Sequence, residues 1–275
     1  MNQNLPPHYQ VQKTGQSGQR PVAGFIDSVK IVLYAFVFVF IVRIFAFEPF
    51  NIPSGSMVPT LVVGDFLFVS KFSYGYSRAS LPFGVKLWEG RILASEPKRG
   101  DVVVFKWPGD NSTDYIKRLI GLPGDTLELR DGRLRINGKI VERRLLQGAQ
   151  GQRFDMVSGR IVYRYEETLP GGSVYSIEQL GDHEVNANFP SECPKGELHC
   201  PITIPAGHYF VMGDNRDNSA DSRISVENRG VGLLPADNLV GKAQLVFLSV
   251  EDASLWEIWK LPFAVRWSRI FSWIR

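Results

Sequence analysis

An apolar run from Ile31 to Phe47, interrupted only by Arg43, constrains this chain more than any other feature. At a helical rise of about 1.5 Å per residue it is roughly 25 Å long, close to the thickness of a bilayer's hydrocarbon core. Lys30 and Arg43 lie where long basic side chains can reach the two interfaces. Glu48-Pro49-Phe50 follows in place of a small-residue cleavage site, so the segment reads as an uncleaved anchor. We expect a disordered polar tail over residues 1–25 and a transmembrane helix over 26–48. The short basic amino-terminal side stays in the cytoplasm by the positive-inside rule, and everything beyond residue 48 is exported.

Beyond the anchor the apolar period is that of strands. Phe66–Val69, Asp101–Phe105, Asp125–Leu129, Arg133–Ile136, Tyr209–Met212 and Ala243–Leu248 are short runs bounded by turn residues, which makes the exported part mainly β. A β domain over 49–129 and 202–252 is expected, with an inserted subdomain over 130–201. At its carboxyl end, 253–275, Trp256, Trp259, Phe263, Trp267, Ile270 and Ile274 share one helical face among basic residues. That pattern suits an amphipathic helix, lying in a membrane interface or packed on its own domain. Leu81–Trp88 is a second apolar, turn-rich candidate for bilayer contact.

The net charge of +3, from 31 basic and 28 acidic residues without a basic stripe, speaks against a nucleic-acid binder. Cys193 and Cys200 lie in a Pro- and Gly-rich stretch. With His199 they lack a fourth ligand for zinc, and in an oxidising compartment they read as a disulfide loop. No metal or cofactor is expected.

Three stretches hold candidate chemistry. The first, Pro53-Ser54-Gly55-Ser56-Met57-Val58-Pro59-Thr60-Leu61, sets two serines between prolines that fix the backbone, with Gly55 free to take a close or left-handed turn. It suits an exposed nucleophile, and taken alone it suits a turn joining anchor to domain still better. The second, Asp114 to Asp125, puts a lysine inside an apolar strand. Alternation places Lys117 with Tyr115 and Leu119 on one face, and Arg118 with Ile116 and Ile120 on the other, so one charge faces something unusual unless both are solvated at an edge. A desolvated lysine can serve as a base where no histidine does, and of the four histidines only His208 borders a strand. The third, Gly213 to Arg223, offers Asp214, Asp217 and Asp221 as oxygens, but Arg216 and Arg223 oppose a divalent cation, so a salt-bridged loop is expected.

In this order after an anchor, the three stretches resemble bacterial type I signal peptidases, serine–lysine endopeptidases that remove signal peptides from exported preproteins. The resemblance runs from about residue 48 to residue 245, the insert matching only in position. It implies a catalytic domain of antiparallel sheets with an inserted β subdomain. It implies Ser56 as nucleophile, Lys117 as general base, and the Ser54 hydroxyl and Ser56 N–H as oxyanion donors. Ser219 would orient the lysine amine, and Asp221 and Arg223 would brace the loop. Phe50, Ile52, Leu61, Val104, Asp114, Tyr115 and Ile116 occupy the positions whose shallow pockets select small residues in the Ala-x-Ala manner. A monomer in the bacterial inner membrane with its catalytic domain periplasmic is expected, with signal peptides and the lipid bilayer as partners, working alone or beside the secretion translocon. The chain departs from the shortest family pattern in the longer Ile224–Gly230 stretch, and it has a single anchor. An ordinary lysine, with a pKa near 10.4, would need to be depressed by roughly three units, worth about 4 kcal/mol, to serve as a base near neutrality.

Overall fold

The structure, a computed structural model, describes residues 21–81, 90–130, 132–148, 151–155, 159–180, 200–251 and 264–275. Helix α1 spans Pro21–Phe45, opening on a proline whose missing N–H costs nothing in a first turn. Its Asp27–Phe45 portion has a mean hydropathy of 2.3 and is long and apolar enough to cross a membrane. The helix stops short of the expected residue 48. Phe47 and Glu48 belong instead to a strand, because Pro49 biases the preceding residue to extended backbone and a neighbouring strand takes up the pairing.

The strands, in chain order, are β1 (Phe47–Asn51), β2 (Asp65–Ser70), β3 (Val102–Lys106), β4 (Asp114–Gly121), β5 (Thr126–Arg130), β6 (Arg133–Ile136), β7 (Lys139–Ile140) and β8 (Glu142–Leu145). They continue as β9 (Gln152–Asp155), β10 (Arg160–Thr168), β11 (Val174–Leu180), β12 (Ile202–Thr203), β13 (His208–Met212), β14 (Leu234–Pro235), β15 (Leu239–Ser249) and β16 (Ser272–Trp273). An eight-stranded sheet runs β1-β2-β15-β3-β4-β13-β14, with β16 added on β15. Its pairings are antiparallel, as the family resemblance implies. Two four-stranded sheets complete the fold, one of β12-β5-β6-β7 and one of β11-β10-β8 with β9 on β10.

Residues 42–275 form one compact unit. The expected boundary at residue 129 falls inside the β5–β6 hairpin, where Leu129 pairs with Leu134. Tyr165, Leu169, Tyr175 and Ile177 of the insert share one core with Ile120, Leu127, Phe210 and Met212. A second core, containing Ile52, Met57, Leu61, Leu67, Val69, Val102 and Val104, underlies the serine stretch.

The carboxyl end differs from the expected amphipathic helix. Residues 252–263 lie outside the described residues, but Trp267–Arg269 is a single 3-10 turn and β16 pairs Trp273 with Leu245. Pairing with β3 ends at Lys242, so an edge of β15 is left to fill, and it accepts N–H groups from Phe271 and Ile274. Residues 82–89, most of the Leu81–Trp88 candidate, also lie outside the described residues.

Candidate active site

The serine stretch leaves β1 as a pinned corner. Ile52 donates to the Asp65 carbonyl and accepts from Gly64, which fixes the entrance. Ser54 is extended, Gly55–Met57 makes one 3-10 turn, and Val58 is extended at φ −63° and ψ 135°, as a residue before proline must be. Met57 and Leu61 are fully buried beneath the turn, so Ser56, 8% exposed, is held from below by apolar packing. Gly55 is not left-handed, and a Cβ there would meet only ordinary contacts at 3.7 Å. Close approach matters instead at Gly213, where a Cβ would stand 2.2 Å from the Ser219 hydroxyl oxygen and 2.5 Å from the Ser56 carbonyl.

Strand β4 starts exposed at Asp114 and ends buried, and its two adjacent charges face opposite environments. Lys117 is 4% exposed. Its Nζ lies 2.7 Å from Ser56 Oγ and 3.0 Å from the Ile116 carbonyl oxygen. The Tyr115 ring covers it at 5.7 Å. Burial lowers the Lys117 pKa to about 8, with Arg223 helping and the Asp221 and Asp214 carboxylates resisting. Arg118, wholly buried on the other face, donates to both Asp214 carboxylate oxygens at 2.8 and 2.7 Å, to the Gly100 carbonyl at 2.8 Å and to the Arg275 carbonyl at 3.0 Å. Burial disfavours its charge, but Asp214 more than restores it, so this guanidinium stays protonated while the neighbouring amine is poised to lose its proton.

The Gly213–Arg223 loop closes over the serine. Asn215 donates its N–H to the Ser56 carbonyl and its side-chain amide to the Gly55 carbonyl, both at 3.1 Å. Asp221 accepts two bonds of 2.8 Å from Arg223 and one of 2.9 Å from the Gly213 N–H. Burial pushes its carboxyl up, and these donors hold it below the ordinary range. The Ser219 hydroxyl is buried without a well-formed hydrogen bond, near enough to Asp221 to favour the carboxylate. It makes no bond to Lys117 here, whose amine is taken by Ser56 and Ile116.

Beside this cluster opens a cavity of about 520 Å³. Six of the seven expected pocket residues line it, namely Phe50, Ile52, Val104, Asp114, Tyr115 and Ile116, together with Ser54, Ser56 and Lys117. Leu61 does not: it is fully buried under the serine turn, where Pro59 and the bond from its N–H to the Met57 carbonyl point it inward. Asn218 and Ala220 of the third stretch also line the cavity. Sequence reading missed them, and missed Asn215, because nothing local says which face of a polar loop meets a serine far away in the chain. Ser54 Oγ stands 3.5 Å from Ser56 Oγ, at the mouth of the same cavity. Cys200 is buried, and Cys193 lies outside the described residues.

A serine hydroxyl against a buried amine of lowered pKa, opening on an apolar cleft at a sheet edge, is the arrangement of a serine peptidase. Comparison with known proteins narrows the class. The family model for signal peptidase, peptidase S26, matches residues 25–248. The chain is 39% identical over 241 residues to signal peptidase I of Rickettsia typhi, covering 87% of this chain and 83% of that protein. It is 40% identical over 213 residues to signal peptidase I of Rickettsia prowazekii, covering 77% and 75% of the two. A crystal structure of a signal peptidase I from Enterococcus faecalis V583 aligns at 25% identity and a TM-score of 0.29, over 54% of this chain and 97% of that one. The chain therefore belongs to the signal peptidase family, peptidase S26, and is a serine peptidase that cleaves signal peptides.

Proposed function

We propose that Ser56 is the nucleophile and Lys117 its general base, and that the substrate is an extended signal peptide ending in small residues. The observation that carries this reading is the 2.7 Å contact between the Lys117 amine and the Ser56 hydroxyl, both buried. With a pKa of about 8, roughly one Lys117 in ten is neutral at pH 7, against about one in 2,500 for an ordinary lysine. Neutral Lys117 takes the hydroxyl proton as Ser56 Oγ attacks the scissile carbonyl carbon, and the resulting ammonium protonates the departing amine. Water then attacks the acyl-enzyme, returning its proton through the same amine, and frees the leader's carboxylate. The Ser54 hydroxyl and the Ser56 N–H donate to the oxyanion. Ser219, adjacent to the Asp221–Arg223 pair, turns toward the amine once Ser56 is acylated, and that pair braces the loop.

The peptide lies between two edges left unpaired among the described residues. Strand β1 is the terminal strand of the sheet, and β13 covers β4 only from Arg118 onward, so the Asp114–Ile116 portion is open. Main-chain bonds to both edges supply affinity, and the shallow cavity under Phe50, Ile52, Val104 and Ile116 excludes large side chains near the scissile bond. We place α1 across the bacterial inner membrane with the amino terminus cytoplasmic and residues beyond it periplasmic, where Cys193 and Cys200 pair. The monomeric chain works at the bilayer, beside the translocon from which signal peptides emerge.

The test is cleavage of a preprotein by detergent-solubilised protein, wild type beside Ser56→Ala and Lys117→Ala. Loss in both variants is expected, and cleavage at the wild-type rate by either one sinks the assignment.

A further inference from the structure

The insert carries most of a buried ionic network that ends on the catalytic loop, and the cleavage chemistry uses none of it. Glu178, near the end of β11, is 1% exposed at its side chain. Arg153 of β9 and Arg164 of β10 hold its carboxylate at 2.8 and 2.7 Å. Burial pushes this carboxyl up, and the two guanidinium groups keep it ionised. Its backbone does something else. The Glu178 N–H donates to the Asp214 carbonyl at 2.9 Å, and the Arg216 N–H donates to the Glu178 carbonyl at 2.8 Å, so Glu178 embraces Asn215 in a parallel bridge.

Asn215 is the residue whose own N–H and side-chain amide hold the carbonyls of Ser56 and Gly55. From Glu178 to the nucleophile's backbone is thus a path through a single residue. Two further attachments run in parallel. Glu167 of β10, with the Tyr175 hydroxyl on it at 2.7 Å, pairs with Arg216. The Leu180 N–H donates to the Asp217 carboxylate. On the opposite side of the loop, Asp214 is fixed by Arg118, the neighbour of the base.

We infer that the β10–β11 hairpin of the insert is a positioning element for the nucleophile, and that Glu178, clamped by Arg153 and Arg164, sets the position of Asn215 and through it the reach of Ser56 toward Lys117. Glu178 touches neither substrate nor reacting atoms. Its part is to keep a contact of 2.7 Å from becoming a longer one. A misplacement of about 1 Å costs on the order of a hundredfold in rate, which is why such a distant brace matters to catalysis. The cavity walls at Ile52, Val104 and Ile116 belong to other strands or to the segment beyond β1, and of the loop only Asn218 and Ala220 reach the cavity, so the brace acts mainly on the rate step rather than on substrate binding.

The inference rests on the serine–lysine reading above, and the experiment separates the two. Full-length Glu178→Ala, Arg153→Ala/Arg164→Ala and the triple variant are assayed in detergent on a signal-peptide substrate, with rates expressed per folded molecule from near-UV circular dichroism. We expect kcat in Glu178→Ala to fall on the order of tenfold or more with KM within about twofold of wild type. The double variant should show a similar fall, and the triple should be no worse than Glu178→Ala, because the three groups act as one clamp. Asp217→Ala removes the acceptor of the Leu180 N–H at an exposed position and gives a smaller fall in kcat should Glu178→Ala not fold. A kcat within twofold of wild type, or a change in KM alone, overturns the inference. Ser56→Ala, run alongside, must be inactive, and activity there overturns the serine–lysine reading instead.

Discussion

Replacing Lys117 by methionine should abolish cleavage and at the same time stabilise the protein at pH 7. The amine is 4% exposed, and its folded pKa of about 8 lies well below the ordinary 10.5. At about 1.4 kcal/mol per pH unit, burying the charged form costs about 3 kcal/mol at pH 7. The sign follows from proton binding: the unfolded chain holds this proton more tightly than the folded one, so the penalty is complete below about pH 8. It is relieved as pH climbs toward 10.5, leaving about 1 kcal/mol at pH 10. Methionine fills a similar volume without charge, but it forfeits the hydrogen bonds to Ser56 and to the Ile116 carbonyl, worth about 1 kcal/mol each. The variant should gain about 1 kcal/mol at pH 7 and be about 1 kcal/mol less stable than wild type at pH 10. Denaturant unfolding of the full-length proteins in detergent at the two pH values measures this, and every other titrating group is common to both and cancels. A variant less stable than wild type at pH 7, or a gain that does not shrink by pH 10, would refute the claim that the fold pays to keep its base near neutrality.

Three further outcomes are expected. On the proposed mechanism only neutral Lys117 is competent, so kcat/KM should rise about tenfold per pH unit below about 8 and level off above it; a flat profile from pH 6 to 8 contradicts that. Ser54→Ala should lower kcat about 100- to 1,000-fold while KM changes little, the usual cost of one oxyanion donor, and an unchanged kcat removes Ser54 from the site. Gly213→Ala puts a methyl 2.2 Å from the Ser219 oxygen and 2.5 Å from the Ser56 carbonyl, and relieving that overlap should cost roughly 1–3 kcal/mol of stability together with most of the activity. A thermal midpoint and rate matching wild type would show that the loop has room that the structure denies it.

What was legible in the sequence was whatever a local pattern dictates. Prolines at 53 and 59 fixed the serine corner, and strand alternation separated Lys117 from Arg118 onto opposite faces. Alternation did not show that both charges are buried, because the partner that makes Arg118 tolerable, Asp214, comes from a strand end far along the chain. The serine and lysine meet across 61 residues through the order of strands in a sheet, and resemblance alone supplied their pairing. Asn215 and Gly213 lay inside a stretch that was singled out, yet their roles follow from what the backbone of Ser56 presses against. At the carboxyl end a helical period in tryptophan and isoleucine was overridden over residues 267–275: Phe271 has a φ of 57°, which breaks a helix, and β15 offered an edge with unmet backbone bonds.

The two open edges flanking the cavity bear on how often the enzyme can turn over. If recognition rests on main-chain bonds to β1 and to the first half of β4, the residues before the scissile bond make all of them and those after it almost none. Cutting the bond therefore releases the mature chain but leaves the leader with its contacts intact. The leader should be a competitive inhibitor of its own formation, and its clearance a limit on throughput. Adding cleaved leader to the assay should raise the apparent KM and leave kcat unchanged, whereas indifference to added leader would mean that the mature side of the substrate also binds. Disposal of an unwanted fragment is then part of this peptidase's working cycle.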